Sequence, residues 1–411
     1  MKSRWIIIML GAALAVAAIV FFVSRRNMNS EDQYTLYIGG YGKAAVKCVF
    51  NAKSMEYIIS QDFKARNPSY LLTANSPNRV YGVSESGSRS GVWGYMDSSL
   101  EESLGEVKDG GADACYLTFF DNHLLTAGYG RGCIGVYPLD TAGKILPASQ
   151  IVNFPSVGGV SRLHMVKVLT APQTGNNYLL VTDKGCDRIY SFQITETEKG
   201  LRLKQCDSAF FSVPKGYGPR HMEFSKNGKY MYLLCETSGM ILVYSVTEKD
   251  GNIILHQIQE AVSDKKKAGA SADIHLSPDG KFLYSSNRRG KDGIAIFRTE
   301  EDGTLTRIAY QVTLQWPRSF AISPDGDFMF VCCQKYKAVQ IFRIDKSSGY
   351  LSNTGKMMMF PDLEPSCILA INNLKGFLPL LVHTAGGLKL VPVCLFRIVL
   401  RGSYPVPVPF P

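Results

Sequence analysis

The side chains that could do chemistry stand at recurring points along this chain rather than in one local motif. Gly218-Pro219-Arg220-His221 opens an apolar segment, and Glu236 follows Arg220 by sixteen residues. The same offset separates Ser69 from Glu85, Ala272 from Arg288 and Arg318 from Gln334. His164 occupies the equivalent of Arg220 one repeat earlier, and Asp183 and Lys184 fall in the turn that corresponds to Glu236. A guanidinium offers a planar fork to a carboxylate or phosphate, and a nearby His or Glu can activate water. Two such cations can also hold a developing oxyanion. The set suits an anionic ester or lactone better than a neutral substrate. A ring of this kind can equally be structural, its charges paired to plug a channel. His221 directly follows Arg220 and His275 is one step out of phase, so strict strand alternation turns both away from that ring. No G-x-S-x-G, Walker A or strand–helix GxGxxG is present, which excludes serine-hydrolase, nucleotide and Rossmann readings. The ten Cys show no C-x-x-C or C-x-H spacing, so neither a metal nor another cofactor is expected.

The elements that must position these residues are repeats. Segments from Gly218, Ala270 and Trp316 share one pattern: a short apolar strand, an S-x-[ND]-G turn, an aromatic strand, a polar turn and a third V/I-rich strand. Period-2 alternation with tight Asn-Gly or Asp-Gly turns is an antiparallel meander signal. Anchors aligned on the first strand are Ser69, Cys115, His164, Arg220, Ala272, Arg318 and Ser366, spaced 46 to 56 residues apart. Seven copies of that length predict an all-β, seven-bladed β-propeller. In that fold the first strand of every blade lines the central channel, so the anchors form a ring at one mouth. The early strand-like segment TLYIGGYGKAAVKCVF has no anchor and is expected to complete the blade that begins near Ser366, closing the circle and removing exposed edges.

The chain has 411 residues, 45% hydrophobic and 19% charged, which is a globular composition. Its net charge of +10 could serve nucleic acid, an anionic surface or an anionic ligand, but no basic stripe or nucleic-acid motif accompanies it. Residues 5–23 are free of charge and predict an N-terminal apolar helix, a signal-anchor or signal peptide, with residues 1–30 as anchor and linker. The expected body is residues 31–371, membrane-anchored or exported to the cell envelope and monomeric. Residues 372–411 form an atypical tail with no acidic residue and a closing Pro alternation.

At this level of detail the chain resembles the propeller lactonase family, which includes 6-phosphogluconolactonases of the cycloisomerase type and carboxy-cis,cis-muconate cyclising enzymes. The resemblance runs over about residues 34–371. It is carried by YIGGY (37–41), NPSYL (67–71), GADACYL (111–117), DKGCDRIYSF (183–192), HLSPDGKFLYSSNR (275–288), PRSFAISPDGDFMFVCCQ (317–334), PSC (365–367) and, most specifically, GYGPRHMEFSKNGKYMYLLCE (216–236). It implies a catalytic set of His164, Arg220, Glu236 and Arg288, acting on a small anionic sugar lactone or sugar acid. In that reading His164 or Glu236 activates water, and Arg220 and Arg288 polarise the carbonyl. Where the family often has P-H-x-H this chain reads Ser161-Arg162-Leu163-His164, and Lys184 stands in a turn usually reading D-L-G. Arg162 and Lys184 therefore join Arg318 and Asp183 as candidate substrate-binding residues. Two other activities share these positions: muconate-type cycloisomerisation, and a non-enzymatic exported propeller that binds an anionic glycan or peptide.

Overall fold

The computed structural model describes residues 32–372, apart from short loop stretches at 75–78, 98–101, 155–158, 198–199, 208–209 and 266–268, together with residues 377–384 and 387–394. Residues 32–372 form seven antiparallel sheets; five pair their strands in simple sequence order, and a sixth does so apart from an extra short strand, Phe211–Ser212, that pairs with Arg188–Thr197. The innermost strands of blades 1 to 6 are Pro68–Thr73, Ala114–Phe120, Leu163–Thr170, Pro219–Phe224, Ser271–Leu276 and Pro317–Ile322. Blade 7 is composite. Its innermost strand, Leu363–Asn372, pairs with Gln33–Gly42 from the other end of the propeller, which pairs in turn with Ala44–Asn51 and Tyr57–Lys64. This is the closure expected from the repeat phase.

Burial follows strand position. Second strands such as Phe328–Cys333 are buried at every residue, because both of their faces pack on neighbouring blades. In the outer strand Ser103–Lys108 only Leu104 is buried. That is why the inner strands read as continuous apolar runs in the sequence and the outer ones alternate. Aromatic rings fill the wedge between blades: Tyr34, Phe50, Phe328 and Phe330 meet with centroids 5.2–6.4 Å apart. The nine described propeller cysteines are free thiols, eight of them buried, so they act as small apolar residues.

The S-x-[ND]-G signature is a repeated turn device. In blade 5 the Ser277 hydroxyl donates to Asp279 (2.6 Å) and accepts from the Phe282 amide (3.0 Å), while Gly280 takes φ 78°. Blade 6 repeats these contacts with Ser323, Asp325 and Phe328. Among the described residues, helix is limited to 3-10 pieces, including Gly87–Arg89 and Gln334–Tyr336. The apolar helix expected over residues 5–23 lies outside the described residues, and no described helix is long and apolar enough to cross a membrane. Residues 373–411 cluster as a second unit, in which Phe377–Thr384 and Gly387–Cys394 pair as an antiparallel hairpin.

Candidate functional site

Every innermost strand carries an irregularity at its anchor. In blades 1, 2, 3, 4 and 6 the ladder steps from Pro68 to Tyr70, Ala114 to Tyr116, Leu163 to Met165, Pro219 to His221 and Pro317 to Ser319. Blade 7 likewise passes over Ser366, between Pro365 and Cys367, and blade 5 passes over both Ala272 and Asp273. The anchor is unpaired each time, joined by Asp273 in blade 5. A bulge adds a residue to one strand and breaks the strict alternation of faces. The anchor and the residue after it can therefore both turn toward the channel, and here that has consequences for Arg220 and His221.

Arg220, Glu236, Arg288 and Lys184 converge from three consecutive blades. Arg220 Nε donates to Glu236 Oε2 at 3.0 Å, and Lys184 Nζ donates to Oε1 at 3.0 Å. Arg288 Nη2 lies 3.6 Å from the same Oε1, while its Nε is anchored on the Ala270 carbonyl at 2.8 Å. Burial on its own would raise the Glu236 pKa. The charges of Arg220, Arg288 and Lys184 outweigh it and hold this carboxyl at about 2, so Glu236 is an anion throughout the working range.

His164 sits beside this cluster with its ring 5.2 Å from that of His221 and 5.7 Å from that of Tyr129. Burial, then the charge of Arg220, drives its pKa well below 6.5, so the imidazole is neutral. Its Nδ1 lies 4.0 Å from Cys115 Sγ, and no described protein group hydrogen-bonds its Nε2. The Cys115 thiol is itself buried and pushed far up, which makes it a poor nucleophile.

The remaining candidates divide. Arg318 donates from Nη2 to Tyr41 Oη at 2.9 Å, and that hydroxyl donates to Glu85 Oε2 at 2.9 Å. Arg220, Arg318, Glu85, His221, Ser69, Cys115 and Ser319 are among the residues lining a cavity of about 10 Å³, room for about one water. Asp183 is committed to the backbone: it accepts from the amides of Arg162, Gly185 and Cys186 and from the Ser161 hydroxyl, and is fully buried. Arg162 spends its guanidinium on the carbonyls of Tyr129 (3.2 Å) and Gly130 (2.8 Å), fastening blade 3 to the preceding blade. The structure thus brings His164, Arg220, Glu236, Arg288, Lys184 and Arg318 to one mouth and uses Asp183 and Arg162 as framework.

Three residues of the site escaped the sequence argument. His221, expected to point away from the channel, is 5% exposed and contacts Arg220 and Asp273, because the bulge resets the alternation. His275, expected to be out of phase, reaches Glu223 (3.5 Å) and Asp273 (3.3 Å), neither of them among the candidate residues of the mouth. Tyr41 was legible only as part of YIGGY. Trp316, one residue before Pro317-Arg318, forms a platform for Lys335 (3.8 Å), Arg289 (5.4 Å) and Arg288 (5.6 Å). A larger cleft of about 930 Å³ lies between blades 7 and 1, lined by Lys43, Lys64, Arg66, Arg89 and Lys108 among others. Among the described residues that line it there is no histidine and Glu106 is the sole carboxylate, so these residues lack the base and paired charges found at the channel mouth.

Residues 35–370 match the family model described as lactonase, 7-bladed beta-propeller. The chain belongs to this family. A 6-phosphogluconolactonase of Formosa agariphila is 31% identical over 318 residues, 74% of this chain and 88% of that protein. Among solved structures, a Bacteroides fragilis protein provisionally described as a 6-phosphogluconolactonase superposes with TM-score 0.77 at 34% identity, over 83% of this chain and 99% of its own. The periplasmic gluconolactonase of Pseudomonas aeruginosa superposes with TM-score 0.73 at 25% identity, over 82% of this chain and 99% of its own.

Proposed function

We propose that this propeller lactonase hydrolyses a sugar-derived lactone, an aldonolactone with or without a phosphate, at the mouth formed by His164, Arg220, Glu236 and Arg288. The observation that carries the reading is a neutral imidazole with an unclaimed Nε2 beside arginines locked in place by one permanently ionised carboxylate. In this reading His164 Nε2 takes a proton from water as the water oxygen attacks the lactone carbonyl carbon. The oxyanion that forms faces arginine N–H donors already held in position, so little reorganisation is needed. Collapse breaks the ring C–O bond, and the imidazolium returns its proton to the departing ring oxygen. The product is an open-chain hydroxy acid, which ionises to the aldonate.

Glu236 is a poor base in this scheme, because both of its oxygens are already claimed by Arg220, Lys184 and Arg288. Its part is to fix Arg220, Arg288 and Lys184. The cavity between Arg220, Arg318 and Glu85 has room for one water, so in this reading the lactone ring sits outside it, toward Tyr129 and Trp316. Arg289 and Lys335 around Trp316 are the exposed cations placed to meet a distal phosphate. The charge-free run of residues 5–23 and the existence of a periplasmic gluconolactonase relative support action in the cell envelope and an unphosphorylated substrate there.

Proton release by the purified protein, followed with glucono-δ-lactone and with 6-phosphogluconolactone, tests the reading. His164→Ala and Arg220→Ala are each expected to lower kcat/KM by about 100-fold or more, the usual scale for losing a general base or an oxyanion donor. Turnover of neither lactone above the uncatalysed rate, or variants as fast as the parent, would overturn it.

A further inference from the structure

We propose that His221 and Asp273 are a positioning pair that sets the orientation of Arg220, and through it the donor that Arg220 presents to the ligand; only the activity arm of its test rests on the lactonase reading. Arg220 Nη1 lies 3.2 Å from His221 Nε2. A guanidinium can only donate, so Nε2 must be the accepting lone pair. The ring proton then sits on Nδ1, which is 2.8 Å from Asp273 Oδ1 and donates to it. That carboxylate is itself closely held. Oδ1 also accepts from the Ile274 amide (3.1 Å), and Oδ2 accepts from the Ser319 hydroxyl (2.7 Å) and the Phe320 amide (3.3 Å), with His275 Nε2 3.3 Å away. Blades 4, 5 and 6 thus meet in one buried chain: Ser319 to Asp273, Asp273 to His221, His221 to Arg220.

The chain finishes the fixing of Arg220 that Glu236 begins. Nε is taken by Glu236, and Nη1 by His221 and the Ala272 carbonyl. Nη2 has no hydrogen-bond partner among the described residues and is the donor left for a ligand. If the ring proton moved to Nε2, or a second proton were added there, an N–H would face an N–H and Arg220 would be driven from its place. Asp273 prevents this by selecting the Nδ1–H form, as the hydrogen bond at one ring nitrogen decides the state of the other. Neither His221 nor Asp273 has to touch the substrate.

Nitrogen-15 shifts of the histidine rings in the parent protein read the tautomer directly, whether or not any lactone is turned over. An Nδ1–H form of His221, lost in Asp273→Asn, is expected. An Nε2–H form or an imidazolium at neutral pH would overturn the proposal. The activity arm uses two amides that divide the imidazole between them. His221→Gln keeps an acceptor where Nε2 stood and is expected to stay within about threefold of the parent kcat/KM. His221→Asn keeps polarity only where Nδ1 stood and is expected to lose about tenfold or more, mostly in kcat, the scale of one hydrogen bond to a charged group. Asp273→Asn should behave as His221→Asn does. Equal damage in the Gln and Asn variants, with melting temperatures near the parent's, would overturn the proposal in favour of a direct role for His221. If no variant turns over any lactone and the parent does not either, the lactonase reading falls, and the ring shifts still decide the pair.

Discussion

Glu236 shows how much of this site is electrostatic scaffolding. Three cations from blades 3, 4 and 5 draw on its two oxygens, and without the carboxylate they would repel one another in a poorly solvated mouth. Glu236→Gln is therefore expected to cost about 3 kcal/mol of stability, the range for breaking a buried ion pair on one side. It should also reduce turnover by misplacing Arg220 and Arg288. Chemical denaturation alongside steady-state kinetics measures both, and a variant of parental stability would show that the cations do not depend on Glu236. The residue types at this site were legible from the chain, since Arg, His and Glu recur at fixed offsets from the anchors. Their division of labour was not. Asp183 and Arg162 carry the same functional groups as the working residues, yet one caps a turn and the other ties down a neighbouring loop. Arg162 and Lys184 meet their partners on adjacent blades, 32–33 and 52 residues away in sequence.

The bulge in each innermost strand is the element that decides what faces the channel. Periodicity assumes that residues two apart share a face, and it fails where one residue is passed over in the ladder. That single step accounts for the misreading of His221. Its cost to the backbone appears where the closing strand meets Leu363–Asn372 and the register shifts between Gly39 and Gly40. A Cβ on Gly40 would come 2.1 Å from the Glu364 carbonyl oxygen. Gly40→Ala is expected to destabilise the propeller by about 1–3 kcal/mol, the usual scale for overpacking. Equilibrium unfolding would register this as a lower denaturant midpoint, and an unchanged midpoint would mean the seam can shift to admit a methyl group.

Across the whole molecule, histidines with opposite pKa shifts are expected to give stability a maximum near neutrality. Burial and Arg220 hold His221 at about 4, against 6.5 ordinarily, and His164 is also lowered. The unfolded chain therefore binds these protons first, and stability falls as pH drops from 6.5 toward 4. Glu223 and Glu236, held at about 2 against 4.5, add a further loss below 4.5. His275 runs the other way. Burial opposes its charge, but Asp273 and Glu223 raise it to about 10, so its contribution is complete below 6.5 and lost as pH rises toward 10. Melting temperature against pH should peak between about 6 and 7, and His275→Gln should flatten the alkaline side alone. A profile still climbing at pH 9 would contradict this balance of charges.

The sequence by itself determined the architecture, because it depends on a local pattern repeated seven times: apolar strand, tight turn, aromatic strand, polar turn. Each repeat leaves apolar faces that only a neighbouring blade can cover, so the count of repeats set the number of blades, and the unpaired first segment set how the ring closes. The anchor ring, and with it His164, Arg220, Glu236 and Arg288, followed from the same periodicity. Only the tertiary structure decided which charges pair, how the bulges turn His221 and Asp273 into the channel, and that the enclosed space below Arg220 and Arg318 has room for one water. The physical reason is distance. Strands and turns are governed by neighbours in the chain, whereas pKa values, tautomers and free donors are governed by groups brought together from separate blades, whose spacing in ångströms no linear pattern records.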